Sequence, residues 1–142
     1  MLIFACIRME RIMAYFANLI CSENATTKGD DLIIEQPLVS LVLDTFPNNY
    51  SFFVGFSLVQ INKTITQQDY VMLSLFDQED DELFSTGKIN IPLPDDLDEP
   101  LDNFTANVSF NNIKFHAPGL YKMTASSSLA DAKTTYFTVR ED

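Results

Sequence analysis

The sequence predicts an all-β protein, a single antiparallel β-sandwich of seven or eight strands spanning residues 1–142. Three observations lead there. Apolar residues alternate with polar ones in short runs, which is the period of a strand with one face buried. The runs are bounded by Asn, Asp, Pro and Gly, residues that belong in turns. With 142 residues, 46% of them hydrophobic, the chain suits one domain and can bury a core without metal or disulfide staples.

The opening segment satisfies two templates. Ile12, Tyr15, Phe16, Leu19 and Ile20 are spaced as on a helix face, whereas Met13, Tyr15, Ala17, Leu19 and Cys21 alternate as on a strand; we read it as the eighth strand. Leu32 to Asp44 is the next, with Pro37 marking an edge or bulge because it has no N–H to give a ladder. From Tyr50 to Ile61, the residues Tyr50, Phe52, Val54, Phe56 and Leu58 form one face. Ser51, Gly55 and Ser57 leave the other small or polar, so this strand should be half-buried. Tyr70 to Phe76 is apolar on both faces apart from Ser74, as in a central strand. Glu82 to Ile91, Phe104 to Phe115, Leu120 to Ser127 and Thr134 to Arg140 complete the set. Within Phe104 to Phe115 the apolar parity changes after Phe110 and resumes at Ile113, so a bulge or turn at Asn111 and Asn112 must absorb one residue. The expected core contains Phe52, Val54, Phe56, Leu73, Leu75, Phe110, Phe115, Tyr121, Phe137 and Val139.

The segment Pro118-Gly119-Leu120-Tyr121 reads as a tight corner followed by a new strand with a tyrosine near its start. This Gly-x-Tyr resembles the tyrosine corner of immunoglobulin-like sandwiches, in which the hydroxyl ties the strand back to the preceding loop. Ala117 stands where the usual Asp would precede the Gly, Met123 where an antibody-type domain has its second Cys, and the chain has no Trp. The resemblance is therefore to the disulfide-free kind. The apolar opening strand, the Phe46-Pro47 pair and the Pro-Gly-x-Tyr hairpin also resemble an uncharacterised immunoglobulin-like family of bacteria and their phages. That resemblance implies a fold and a prokaryotic or phage origin, and no activity.

Cys6 and Cys21 are too few for a disulfide framework, and reduced thiols in the cytoplasm are expected. Arg8 and Arg11 precede an apolar stretch from Ile12 to Cys21 that imitates a signal peptide. However, Leu2, Ile3 and Phe4 are apolar where a charged leader begins, and Asn18 interrupts the stretch. No run approaches the roughly 18 apolar residues of a membrane helix. Five N-x-S/T triplets, at Asn24, Asn49, Asn62, Asn103 and Asn107, exceed the number expected by chance from ten Asn and 21 Ser plus Thr. They keep a secreted glycoprotein reading open beside the cytoplasmic one.

Enzyme readings fail on inventory, since His116 is the only histidine and its neighbours place it in a loop. No nucleophile elbow, phosphate loop or zinc-protease motif is present, and no cofactor or metal is implied. A net charge of -11 argues against direct binding of nucleic acid or an anionic membrane. The charge is concentrated. Asp77, Glu79, Asp80, Asp81, Glu82, Asp95, Asp96, Asp98, Glu99 and Asp102 face one base, Lys88, so residues 77–102 carry -9 and the rest of the chain -2. A calcium loop beginning at Asp77 would need Gly at its sixth position and Glu at its twelfth, where Glu82 and Lys88 stand. The ten acids are therefore candidate partner-binding residues. A strand between the two clusters would hold them about 30 Å apart. The expected function is that of a non-enzymatic acidic interaction protein, in the form of a phage or mobile-element inhibitor that engages a basic, nucleic-acid-binding protein surface as a DNA mimic. The competing reading is a secreted or surface module with an adhesive or structural role; a homo-oligomer is compatible with either.

Overall fold

A strand with one apolar face must bury it, and two sheets stacked face to face bury both sets at once. The computed structural model describes residues 14–29, 31–93 and 99–142, and it forms such a sandwich. Its strands are β1 (Tyr15–Lys28), β2 (Asp31–Pro37), β3 (Ser40–Leu43), β4 (Asn48–Val59), β5 (Tyr70–Phe76), β6 (Glu82–Ser85), β7 (Ile89–Asn90), β8 (Phe104–Phe115), β9 (Gly119–Ser127) and β10 (Lys133–Glu141). One sheet has the order β2-β1-β4-β8; the other has β3-β10-β9-β5-β6, with β7 also on β5. In both, β1-β4-β8 and β5-β9-β10 reproduce the neighbour relations of the immunoglobulin-like sandwich. Cys6, Arg8, Arg11, Ile12 and Met13 lie outside the described residues, as do Asp95, Asp96 and Asp98.

Ten strands replace the expected eight because two of the predicted segments divide. Leu32 to Asp44 is not one strand. Pro37 ends β2 in the first sheet, and the Leu38 and Val39 backbone carries the chain to the second: Leu38 N–H donates to Cys21 O at 2.8 Å, while Val39 O accepts from Thr138 N–H at 3.0 Å. There β3 runs parallel to β10, a departure from the purely antiparallel expectation. Glu82 to Ile91 breaks at Thr86 and Gly87. The Thr86 hydroxyl accepts from Leu73 N–H at 3.1 Å and the Thr86 N–H donates to Leu73 O at 3.0 Å, so one residue replaces a stretch of ladder. Gly87, at φ 68°, then turns the chain into β7.

All ten expected core residues are buried, none more than 2% exposed. Phe52 packs against Phe110 of its own sheet at 5.4 Å and against Phe137 of the facing sheet at 5.8 Å, measured between ring centroids. In β8, Tyr50 pairs with Ile113 and Phe52 with Phe110, so Ser51 opposes both Asn111 and Asn112. Asn112 takes a positive φ of 54° and its N–H donates to Ser51 Oγ at 2.9 Å, completing the bulge that the parity change requires.

A second bulge explains the ambiguous opening segment. Register shifts between Phe16 and Asn18, so Ala14 and Phe16 are buried before it and Leu19 and Cys21 after it. The three-residue step from Phe16 to Leu19 looks helical but is a strand changing parity. Tyr15, common to both templates, is 61% exposed. The half-buried expectation for β4 needs correction too, because Gly55 and Ser57 on its second face are also buried. Although β2 is hydrogen-bonded only to β1, it also contacts β4 and β8. Leu32 and Ile34 cross over Gly55 so closely that a Cβ there would stand 2.9 Å from both Leu32 methyl carbons.

Candidate functional site: the acidic turn and the sheet face beside it

The chain reverses between β5 and β6 through Asp77, Gln78, Glu79, Asp80 and Asp81. Asp77 N–H donates to Asp81 O at 3.0 Å and Asp80 N–H to Asp77 O at 3.1 Å. The Asp77 carboxylate turns back on the loop, its Oδ1 accepting from Glu79 N–H at 2.8 Å and Asp81 N–H at 3.0 Å. Asp80 supplies the left-handed residue the turn needs, at φ 63°, a conformation that Asp and Asn adopt more readily than other non-glycine residues. One carboxylate thus organises the turn, and Glu79, Asp80, Asp81 and Glu82 are left exposed on a hydrogen-bonded hairpin.

The neighbouring strands bring partners distant in sequence. Lys122 of β9 pairs in register with Phe76 of β5 on one side and Tyr136 of β10 on the other. Its Nζ lies 2.8 Å from Asp80 Oδ1 and 5.2 Å from the centre of the Phe76 ring. The hydrogen bond to Asp80 holds the ammonium in its charged form, raising its pKa. Asp77, Gln78, Asp80, Leu120, Lys122 and Tyr136 line a shallow cleft of about 170 Å³. Composition gives no sign of this cleft, because Leu120 and Tyr136 reach it only through the β5-β9-β10 register.

The remaining acids do not join this group. Glu99 and Asp102 are exposed at the opposite end of β5, where Asp102 O accepts from Ile61 N–H at 2.9 Å. The seven-residue β5 separates the two ends by about 20 Å, less than the unbroken Leu83 to Ile91 strand would have imposed. At that far end lies a residue the sequence reading passed over. Asp69, only 4% exposed, accepts from Thr66 N–H at 2.9 Å, Lys63 Nζ at 3.3 Å and Ser128 Oγ at 3.2 Å. Burial pushes its pKa up, but the Thr66 N–H, the Lys63 ammonium and the Ser128 hydroxyl outweigh it and the net shift is downward. The only local clue in the sequence is an Asp set immediately before a strand, three residues after a Thr.

The other candidates are structural. Cys21 is buried, and desolvation lifts its thiol pKa to about 12, too high for a nucleophile. His116 is exposed at the corner before β9. Tyr121 is buried and its hydroxyl donates to Ala117 O, the hydrogen bond expected of a tyrosine corner. Among the described residues, no three His, Cys, Asp or Glu side chains converge as a metal site would require. The five N-x-S/T triplets all fall on or beside β1, β4 and β8, with Asn24, Asn49, Asn62 and Asn103 exposed and Asn107 half-buried.

No protein-family model matches the chain, and no curated protein matches it at a significant level. Among solved structures it is similar to a Niemann-Pick type C2 protein from the Japanese carpenter ant, at 11% identity and a TM-score of 0.41, the match covering 92% of this chain and 94% of that one. The fold assignment stands on the sheet order and pairing given above.

Proposed function

We propose that the protein is a non-enzymatic interaction module that engages a basic protein surface through the acidic turn of β5 and β6, acting in the cytoplasm as an inhibitor of phage or mobile-element origin. The observation that carries this reading is the construction of the turn. Asp77 spends its carboxylate on Glu79 and Asp81 N–H, so the other acids are displayed on a preorganised hairpin. Display on a fixed hairpin lowers the ordering cost of binding and favours a partner with a matching basic patch. Glu99 and Asp102, about 20 Å away across β5, would meet a second part of an extended basic surface. The test is a triple variant, Glu79→Gln with Asp81→Asn and Glu82→Gln. It should bind an arginine-rich peptide several-fold more weakly than wild type at physiological salt, and wild-type binding should weaken as salt rises. Equal, salt-insensitive binding by both proteins overturns the reading.

The placement of the N-x-S/T triplets favours a second reading, a secreted or surface sandwich module with an adhesive or structural role. Asn24, Asn49 and Asn107 lie on the four-stranded sheet and Asn62 and Asn103 in the segments next to β4 and β8, with none on a strand of the six-stranded sheet. Intact mass of the protein from its native host separates the two readings: glycan mass supports the second, and an unmodified chain removes it.

A further inference from the structure

On β9 and β10 the odd-numbered residues Tyr121, Met123, Phe137 and Val139 point into the core, so the even-numbered Leu120, Lys122 and Tyr136 project from the outer face of the six-stranded sheet. Leu120 is 48% exposed and Tyr136 56%, two large apolar side chains directly beside the acidic turn. They sit diagonally across the β9-β10 ladder, since Leu120 pairs with Thr138 and Lys122 with Tyr136. Asp77 and Asp80 line the cleft with this strip, Glu79, Asp81 and Glu82 stand exposed on the same turn, and Lys122 is the cation within the cleft. An apolar strip with so one-sided a border complements a basic partner and repels an acidic one.

We propose that Leu120, Lys122 and Tyr136, with the rim of the acidic turn, form the docking surface for a basic protein segment that presents an arginine next to an apolar side chain. The inference rests on the acidic-turn reading and names the partner chemistry of that site. Lys122 shows how a cation is seated there: its ammonium lies on Asp80 Oδ1 at 2.8 Å and over the Phe76 ring at 5.2 Å. A planar guanidinium suits such a place better than a second ammonium, because it can stack on the exposed Tyr136 ring while its fork meets a carboxylate. The neighbouring apolar side chain covers Leu120. Lys122 is then a resident competitor for Asp80, and removing it strengthens binding.

The experiment uses the full-length protein and three labelled ten-residue peptides, one alternating arginine and leucine, one with lysine for arginine, and one with serine for leucine. Anisotropy titrations are run at low and physiological salt, with circular dichroism as the folding check. The arginine-leucine peptide should bind best, Tyr136→Ser and Leu120→Ser should each weaken it by about tenfold, and Lys122→Met should tighten it by about threefold. Wild-type affinity in folded Tyr136→Ser and Leu120→Ser, or indifference to the serine peptide, overturns this docking surface. If the triple acid variant still loses binding in that case, the acidic-turn reading survives alone. If the triple acid variant binds as wild type, both fall together.

Discussion

Tyr121 serves the core and the corner together. Its ring lies 5.0 Å from Phe115 and 6.0 Å from Phe137 between centroids, and its hydroxyl reaches back to the Ala117 carbonyl. Because the acceptor is backbone, the absence of Asp at position 117 leaves that hydrogen bond intact. Tyr121→Phe keeps the packing and leaves the carbonyl without its donor, so it should lower stability by about 0.5–1.5 kcal/mol, measured by urea denaturation. Unchanged stability would reduce the Pro118-Gly119 segment to an ordinary turn. Asp69 makes a different kind of contribution, since it ties the approach to β5 to the β9-β10 connection through Thr66 and Ser128. Its folded-state pKa is depressed below the unfolded value of about 3.9, so its stabilisation is complete above that pH and is lost as pH falls through the folded pKa. Asp69→Asn should therefore cost about 1–3 kcal/mol at neutral pH, and the gap from wild type should close as pH falls through the folded-state pKa. A gap that persists undiminished in acid would show that the charge is not what stabilises the loop.

In β4 both faces are used, which alternation alone does not predict. The even-numbered face enters the sandwich, while Gly55 on the other face lets Leu32 and Ile34 of β2 lie directly over the strand. Glycine is required there for space rather than for backbone conformation. Gly55→Val should displace β2, costing about 1–3 kcal/mol as overpacking does, with faster amide exchange confined to Asp31–Pro37 and its partners in β1. Uniform acceleration across both sheets would instead mean that β2 is not a separable layer. The two bulges contrast in legibility. The one in β8 was readable because aromatic and β-branched residues flank it on both parities. The bulge in β1 was hidden because Phe16 to Leu19 is also a helical step.

At the scale of the whole molecule, an uncharged polar patch and the acidic turn occupy different sheets. The outer residues of the four-stranded sheet include the uncharged Ser57, Thr105, Ser109 and Asn111, joined by side-chain hydrogen bonds such as Ser57 to Thr105 at 3.0 Å. Five carboxylates stand together instead at the β5-β6 turn of the six-stranded sheet. Like charges so close repel, so the triple variant Glu79→Gln, Asp81→Asn, Glu82→Gln should match or slightly exceed wild-type stability at low salt, with the difference shrinking as salt rises. Asp77 is excluded from that set because its carboxylate accepts two backbone N–H groups. Thermal denaturation at two ionic strengths checks the prediction, and a clear loss of stability in the triple variant would mean that these acids hold contacts of their own.

The all-β class, ten of the core residues, the corner at Tyr121 and the bulge at Asn111 and Asn112 are legible in the sequence. Each is local: strand period is two residues, and a turn or parity change is written within a few positions. The grouping of Asp77, Glu79, Asp80, Asp81 and Glu82 is local too, since residues this near in the chain cannot part. Which sheet each strand joins, where β2 parts from β3, and the placement of Leu120, Lys122 and Tyr136 beside the acidic turn emerge only in the folded molecule. Those outcomes depend on pairing between residues far apart in the chain, such as Phe76 with Lys122, Asp69 with Ser128 and Val39 with Thr138. Alternation says that a face must be buried, but the partner that buries it is chosen by the packing of the whole sandwich.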